Sequence, residues 1–186
     1  MKSAQQMINF CFANGINYFS DPNKLLSHFK LIEQSMNSRE KVLAAFDCNG
    51  VKNRGGGLIR GGAMAVAFTN EKVIYAQAGV LVPFVKEIGY ETITGISAKK
   101  GFAFADIIVD SINEYAQFVV DKNAADEIRN LAIDAIENYR NRKSASNSKS
   151  RGISSADEIK KYKALLDDGV ITQKEFEAKK KQLLGL

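Results

Sequence analysis

The sequence predicts an α+β protein, mainly β: an antiparallel seven-stranded barrel or sandwich capped by a C-terminal helix. Three observations carry that expectation. Between residues 39 and 121, short apolar runs follow one another across turn signals, with no helical stretch between them, which is the pattern of an antiparallel sheet rather than of alternating strand and helix. One amphipathic stretch follows that block. Outside it lie an N-terminal helical segment and a charged C-terminal stretch that reads as two short helices.

Ala4, Met7, Ile8, Cys11 and Phe12 recur at helical spacing, and Asn14-Gly15 supplies a left-handed stop. Residues 3–20 carry no charge, but interspersed Gln and Asn leave no continuous apolar run, so neither a membrane span nor a signal peptide is expected. Asp21-Pro22 starts a second helix, with an N-cap acceptor and a proline at the first helical position. Leu25, Phe29, Ile32 and Met36 form its stripe. His28, the one histidine, is offset from them and is expected in solvent.

The strand block opens with KVLAAFDC. In GGAMAVAFT, Met64, Val66 and Phe68 alternate with Ala63, Ala65 and Ala67. VIYAQ, VLVPFVKEI, YETITGISA, FAFADIIVD and YAQFVVD follow. Asn123 then reads as the cap of a helix with Ile128, Leu131, Ala132, Ala135, Ile136 and Tyr139 on one face. Residues 143–154 are small, polar and aperiodic, and are expected to form a flexible linker. The division expected is thus 1–21, 22–142, 143–154 and 155–186.

In the tail, Ser155 with Glu158 and Thr172 with Glu175 are two capping boxes. Gly169 stands at a helix C′ position, and Ile171 and Phe176 at the two ends of a hydrophobic staple. A pair of helices this short buries too little apolar area to offset its ordering entropy. Its apolar residues must therefore find another surface.

The 186 residues carry a net charge of +5, unevenly placed. Residues 1–142 hold 16 Lys and Arg against 15 Asp and Glu; residues 143–186 hold 10 against 6. A nearly neutral main domain argues against nucleic acid as a partner. Cys11 and Cys48 lack metal or disulfide spacing and fit buried thiols in a reducing cytoplasm. No paired carboxylates, nucleophile elbow, metal spacing, P-loop or second histidine occurs, so neither catalysis nor a cofactor is expected.

LLDDGVITQKEFEAKKKQLL resembles the SHOCT module, a short C-terminal domain of bacterial proteins. Leu165, Gly169, Val170, Ile171, Thr172, Glu175, Phe176, Lys179, Lys180, Leu183 and Leu184 carry the likeness. The resemblance implies a bacterial or phage origin and a role in oligomerisation or protein contacts. Its expected interface is Leu165, Gly169, Ile171, Phe176, Leu183 and Leu184. Residues 22–142 are similar to bacterial pleckstrin-homology-like (PH-like) domains of the YokE-like group, on Glu40-Lys41-Val42-Leu43, AFTNEKVIYA and YETITGI. Lys72 stands where that group often has arginine.

The PH resemblance also implies a site. Phosphoinositide-binding PH domains use basic side chains in the loop between their first two strands, and VKNRGGGLIRGG lies there. Lys52, Arg54 and Arg60 would hold the phosphates, although their spacing departs from the PH pattern and three glycines suit a flexible loop equally. The expected function is a non-catalytic cytoplasmic interaction protein whose tail binds itself or another protein. The alternative is an anionic phospholipid binder that uses the basic loop.

Overall fold

Strand β1 (Val42–Lys52) is the middle strand of a seven-stranded sheet. The computed structural model describes residues 1–16, 21–79, 82–150 and 155–184. These form two compact units, residues 1–140 and 141–186. In the first, one antiparallel sheet runs in the order β4-β3-β2-β1-β7-β6-β5. Its other strands are β2 (Leu58–Thr69), β3 (Lys72–Gln77), β4 (Phe84–Gly89), β5 (Ile93–Lys100), β6 (Phe104–Ser111) and β7 (Tyr115–Asp121). β1 pairs with β2 along most of its length and with β7 only at its far end, where Val51 faces Phe118. Just before the stretch that pairs on both sides sits Gly50, at φ 97° beside a register shift. A Cβ there would lie 2.9 Å from the Arg60 carbonyl oxygen, so only glycine fits the bend.

The interior face carries the aromatic residues. Phe46 and Phe68 stack with ring centres 6.2 Å apart, and Phe118 meets Phe46 and Tyr75 edge-on at 6.3 and 5.1 Å. The opposite face of β1, β2 and β3 is buried as well. Ala45, Ala65, Ala67 and Ala76 are all at 0 % exposure. Helices α1 (Ala4–Ala13) and α2 (Pro22–Ser35) cover them, α1 against β1 and α2 against β2 and β3. Alanine is what allows a helix to lie so close to a sheet.

The helix starts follow the sequence. Ser3 and Gln6 form a capping box on α1, and the Asp21 carboxylate accepts from the Asn23 and Lys24 N–H groups. Gly15 ends α1 at φ 64°. Phe12 is half exposed rather than part of the buried stripe.

His28 departs from expectation. It is 5 % exposed, and its Nδ1 accepts the Ala78 N–H at 2.9 Å. A short helix laid across two strands brings backbone groups to a side chain that the helical stripe alone leaves outside. Burial lowers its pKa, against a backbone hydrogen bond at Ala63 that raises it, and Lys24 lowers it further.

Helix α3 (Ala125–Ser150) places Ile128, Ala132, Ala135 and Ile136 in the core. It lies beside the β5 end of the sheet: Arg140 Nη2 donates to the Ile93 carbonyl at 2.9 Å, and the Tyr90 and Tyr139 rings meet at 5.4 Å. It begins two residues after Asn123, whose N–H instead donates to Asp121 Oδ1. It also continues to Ser150, through eight residues of the expected linker. That stretch contains neither glycine nor proline, and adding residues to an existing helix is cheap. Residues 151–154 lie outside those described.

Candidate functional site

The basic loop is shorter than the sequence suggests. β1 and β2 extend into it, leaving a five-residue turn from Asn53 to Gly57. Asn53 holds this turn together. Its N–H donates to the Gly57 carbonyl at 2.8 Å, and its Oδ1 accepts from Gly55 N–H at 3.0 Å and Gly57 N–H at 2.9 Å.

The three expected phosphate-binding side chains do not turn toward one place. Lys52 Nζ lies 3.8 Å from Asp106, and Arg54 Nη2 lies 2.5 Å from Asp110, both carboxylates of β6. Arg54 also stands 5.6 Å from the centre of the Tyr115 ring. Arg60 turns toward β3 and β4. Its Nε donates to Gln77 Oε1 at 2.7 Å, and its guanidinium lies 5.6 Å from the Phe84 ring centre. A phosphate at this turn would compete with two carboxylates for two of its three cations.

A second charged cluster explains the Glu40 and Lys72 positions. Glu40 is 1 % exposed; its Oε1 accepts from Thr69 Oγ1 at 2.7 Å and its Oε2 from the Asn37 N–H at 3.2 Å. Lys72 Nζ sits 3.7 Å from Glu40 and 2.8 Å from Glu87. This network ties the α2–β1 connection to the β2–β3 turn. Its work is structural.

The tail forms α4 (Ser155–Asp167) and α5 (Gln173–Leu184), packed on each other. Gly169, at φ 71°, ends α4 in a Schellman motif. The Val170 N–H donates to the Leu165 carbonyl at 2.9 Å and the Gly169 N–H to the Leu166 carbonyl at 3.0 Å. Thr172 and Glu175 form the capping box that starts α5: the Thr172 N–H donates to Glu175 Oε2 at 2.8 Å, and the Glu175 N–H to Thr172 Oγ1 at 3.3 Å. The Thr172 N–H and the Thr172 hydroxyl, both donating to the Glu175 carboxylate, lower its pKa. The Ser155–Glu158 box rests on a side chain outside those described.

Within this unit only Phe176 is buried among the described residues of α5. Ile171 and Leu183 are half-buried. Leu165, Val170 and Leu184 are 38 %, 68 % and 49 % exposed. Tyr162 and Leu165 line an open groove on α4, with Glu158 and Lys161 at its rim. Lys179 reaches over the Tyr162 ring at 5.8 Å. The helical hairpin thus closes over one phenylalanine and leaves aliphatic side chains in solvent.

Among the described residues, no cluster of three His, Cys, Asp or Glu could hold a metal ion, and no helix is long and apolar enough to cross a membrane. Cys11 and Cys48 are buried free thiols; burial raises both pKa values, with the Asp47 carboxylate adding to it.

Two family models match the chain: a bacterial PH domain over residues 36–137 and a short C-terminal domain, SHOCT, over residues 157–184. No curated protein matches it. Among solved structures, the Vps36 N-terminal PH domain is similar at 15% identity and TM-score 0.48, covering 55% of this chain and 83% of that one. The C-terminal domain of an unknown protein from Leishmania infantum is similar at 16% identity and TM-score 0.39, covering 52% and 84%.

Proposed function

Because the chain belongs to the bacterial PH domain family and carries a short C-terminal domain after it, we propose that it is a non-catalytic interaction protein assembled through its tail. The observation that carries this reading is the exposure of Leu165, Val170 and Leu184 on a helical pair that buries one phenylalanine. Such a pair gains most of its stability from a surface it does not itself contain. A second copy supplies that surface most simply, since the same aliphatic residues are then present on both sides. Docking onto a different protein would use the same residues.

The PH-like unit then acts as a binding head held in several copies. A tail contact that is weak alone gains strength once two heads engage one target, through effective concentration.

Two differently tagged copies of the full chain, co-expressed, test this reading. Capture through one tag should retain the other copy. The double substitution Leu165→Glu/Leu184→Glu should abolish that retention while the melting of the sheet unit stays unchanged. Retention that survives the double substitution would count against the tail as the contact.

A further inference from the structure

We infer that Asn14 is a site of spontaneous deamidation, and that its product loosens α1 from the sheet. The chain holds two Asn-Gly pairs, Asn14-Gly15 and Asn49-Gly50. In such a pair the glycine backbone nitrogen attacks the carbonyl carbon of the asparagine side chain. The new N–C bond closes a five-membered succinimide. The glycine amide proton goes to solvent, and the side-chain nitrogen takes up a proton and leaves as ammonia. Water then opens the ring at one of its two carbonyls. The products are aspartate and isoaspartate, and in isoaspartate the main chain runs through the former side chain and is one carbon longer. Glycine favours the attack because it has no Cβ to crowd the nitrogen or restrict the backbone.

The fold separates the two pairs. Asn49 has an exposed side chain, but its backbone is fixed within β1, opposite Ala63 of β2. Gly50 is buried, and its backbone hydrogen-bonds the Cys48 sulfur. Asn49 cannot turn its side chain onto the Gly50 nitrogen without breaking the strand pairing. Asn14 lies at the end of α1 as its C-cap, at φ −105° and ψ 3°, and Asn14 and Gly15 are both exposed. A Cβ on Gly15 would meet nothing within 4 Å, so the space around the pair is open. The Gly15 N–H donates to the Phe12 carbonyl at 3.3 Å, a long bond that holds the attacking nitrogen weakly.

The same end of α1 is poorly built for the product. Asn14 Nδ2 donates to the Phe10 carbonyl at 2.8 Å, a bond that a carboxylate cannot make. The new negative charge stands at a helix C-terminus, where the unpaired carbonyls repel it. Isoaspartate does more, because the added carbon lies just before a doubly anchored residue. The Ile16 N–H donates to the Cys11 carbonyl at 3.0 Å, and the Ile16 carbonyl accepts the Asp47 N–H at 3.4 Å. Ile16 is buried at 3 % exposure. A longer link from Asn14 to Ile16 cannot keep both anchors, so the last turn of α1, with Cys11, parts from β1. This inference does not depend on the role of the tail.

The test ages the full chain in mildly alkaline buffer, folded and in urea, and follows by mass the peptides that hold each Asn-Gly pair. Isoaspartate is counted by enzymatic methyl transfer to its carboxylate. In the folded chain the Asn14 peptide should convert at least tenfold faster than the Asn49 peptide. In urea the two rates should differ by less than threefold, because the fold no longer separates them. Gly15→Ala should slow conversion at Asn14 at least tenfold. Aged wild type should exchange its α1 amides at least tenfold faster than fresh wild type, with β5, β6 and β7 unchanged. Asn14→Gln, aged alongside, should show no such gain. Equal rates at the two pairs in the folded chain, faster conversion at Asn49, indifference to Gly15→Ala, or a converted Asn14 with α1 exchange unchanged would each overturn the inference.

Discussion

Arg54 and Asp110 are paired at 2.5 Å across the β1–β2 turn and β6, with the Tyr115 ring beneath the guanidinium. The pair is largely exposed and adds little to stability, about 0–1 kcal/mol for pairs of this kind. Its consequence is for binding. Together with Lys52 and Asp106, it leaves the basic turn with little unmatched charge.

The full chain should show no sedimentation with phosphatidylserine or phosphoinositide vesicles at physiological ionic strength, and Asp110→Ala should increase whatever binding appears at low salt. Strong wild-type sedimentation, lost when Lys52, Arg54 and Arg60 are all changed to alanine, would instead support the phospholipid alternative.

His28 gives the protein an acid-sensitive joint between α2 and the sheet. Its pKa is lowered in the folded chain, so the unfolded chain binds the proton more readily and stability rises with pH. The His28 contribution is complete above the ordinary histidine value and is lost as pH falls below it toward the folded value. Protonation also removes the acceptor for the Ala78 N–H, and an unpaired buried donor costs about 1–3 kcal/mol. Melting measured between pH 8 and pH 5.5 should show a steeper loss for the wild type than for His28→Gln. Parallel curves would contradict this role.

Glu40 should be the most costly polar residue to remove. Glu40→Ala leaves the Thr69 hydroxyl, the Asn37 N–H and Lys72 without their shared acceptor, a loss of about 3 kcal/mol or more for a buried pair broken on one side. Lys72→Arg, which keeps the positive charge beside Glu40 and Glu87, should change stability by less than about 1 kcal/mol. Urea unfolding measures both.

The tail's local signals should govern its own unit alone. Thr172→Ala removes the N-cap of α5 and should cost about 1 kcal/mol. Gly169→Ala forces a Cβ into the left-handed region at φ 71° and should cost about 1–2 kcal/mol. Hydrogen exchange should quicken over α4 and α5 in both variants and stay unchanged in the sheet.

Much of this was legible because the signals are local. Turn residues separate the seven strands, and the Schellman turn and capping box of the tail lie within a few residues of each other. His28 was not legible, because its partner Ala78 lies 50 positions away and offers a backbone atom that no residue type announces. The second helical layer had left a sign: Ala63, Ala65 and Ala67 fill the face of β2 where a solvated strand would carry polar residues. The length of α3 was hidden by composition, since small polar residues suggest a tether but do not stop a helix already begun. The lysine and arginines near the turn were visible, but the carboxylates that occupy two of them come from β6, and only the sheet order brings them together.

Solution mass by light scattering, on the full chain and on residues 1–150, addresses the assembly role of the tail most directly. Assembly through the tail predicts a multimer for the full chain and a folded monomer for the truncated one. Equal states of association for the two would contradict it.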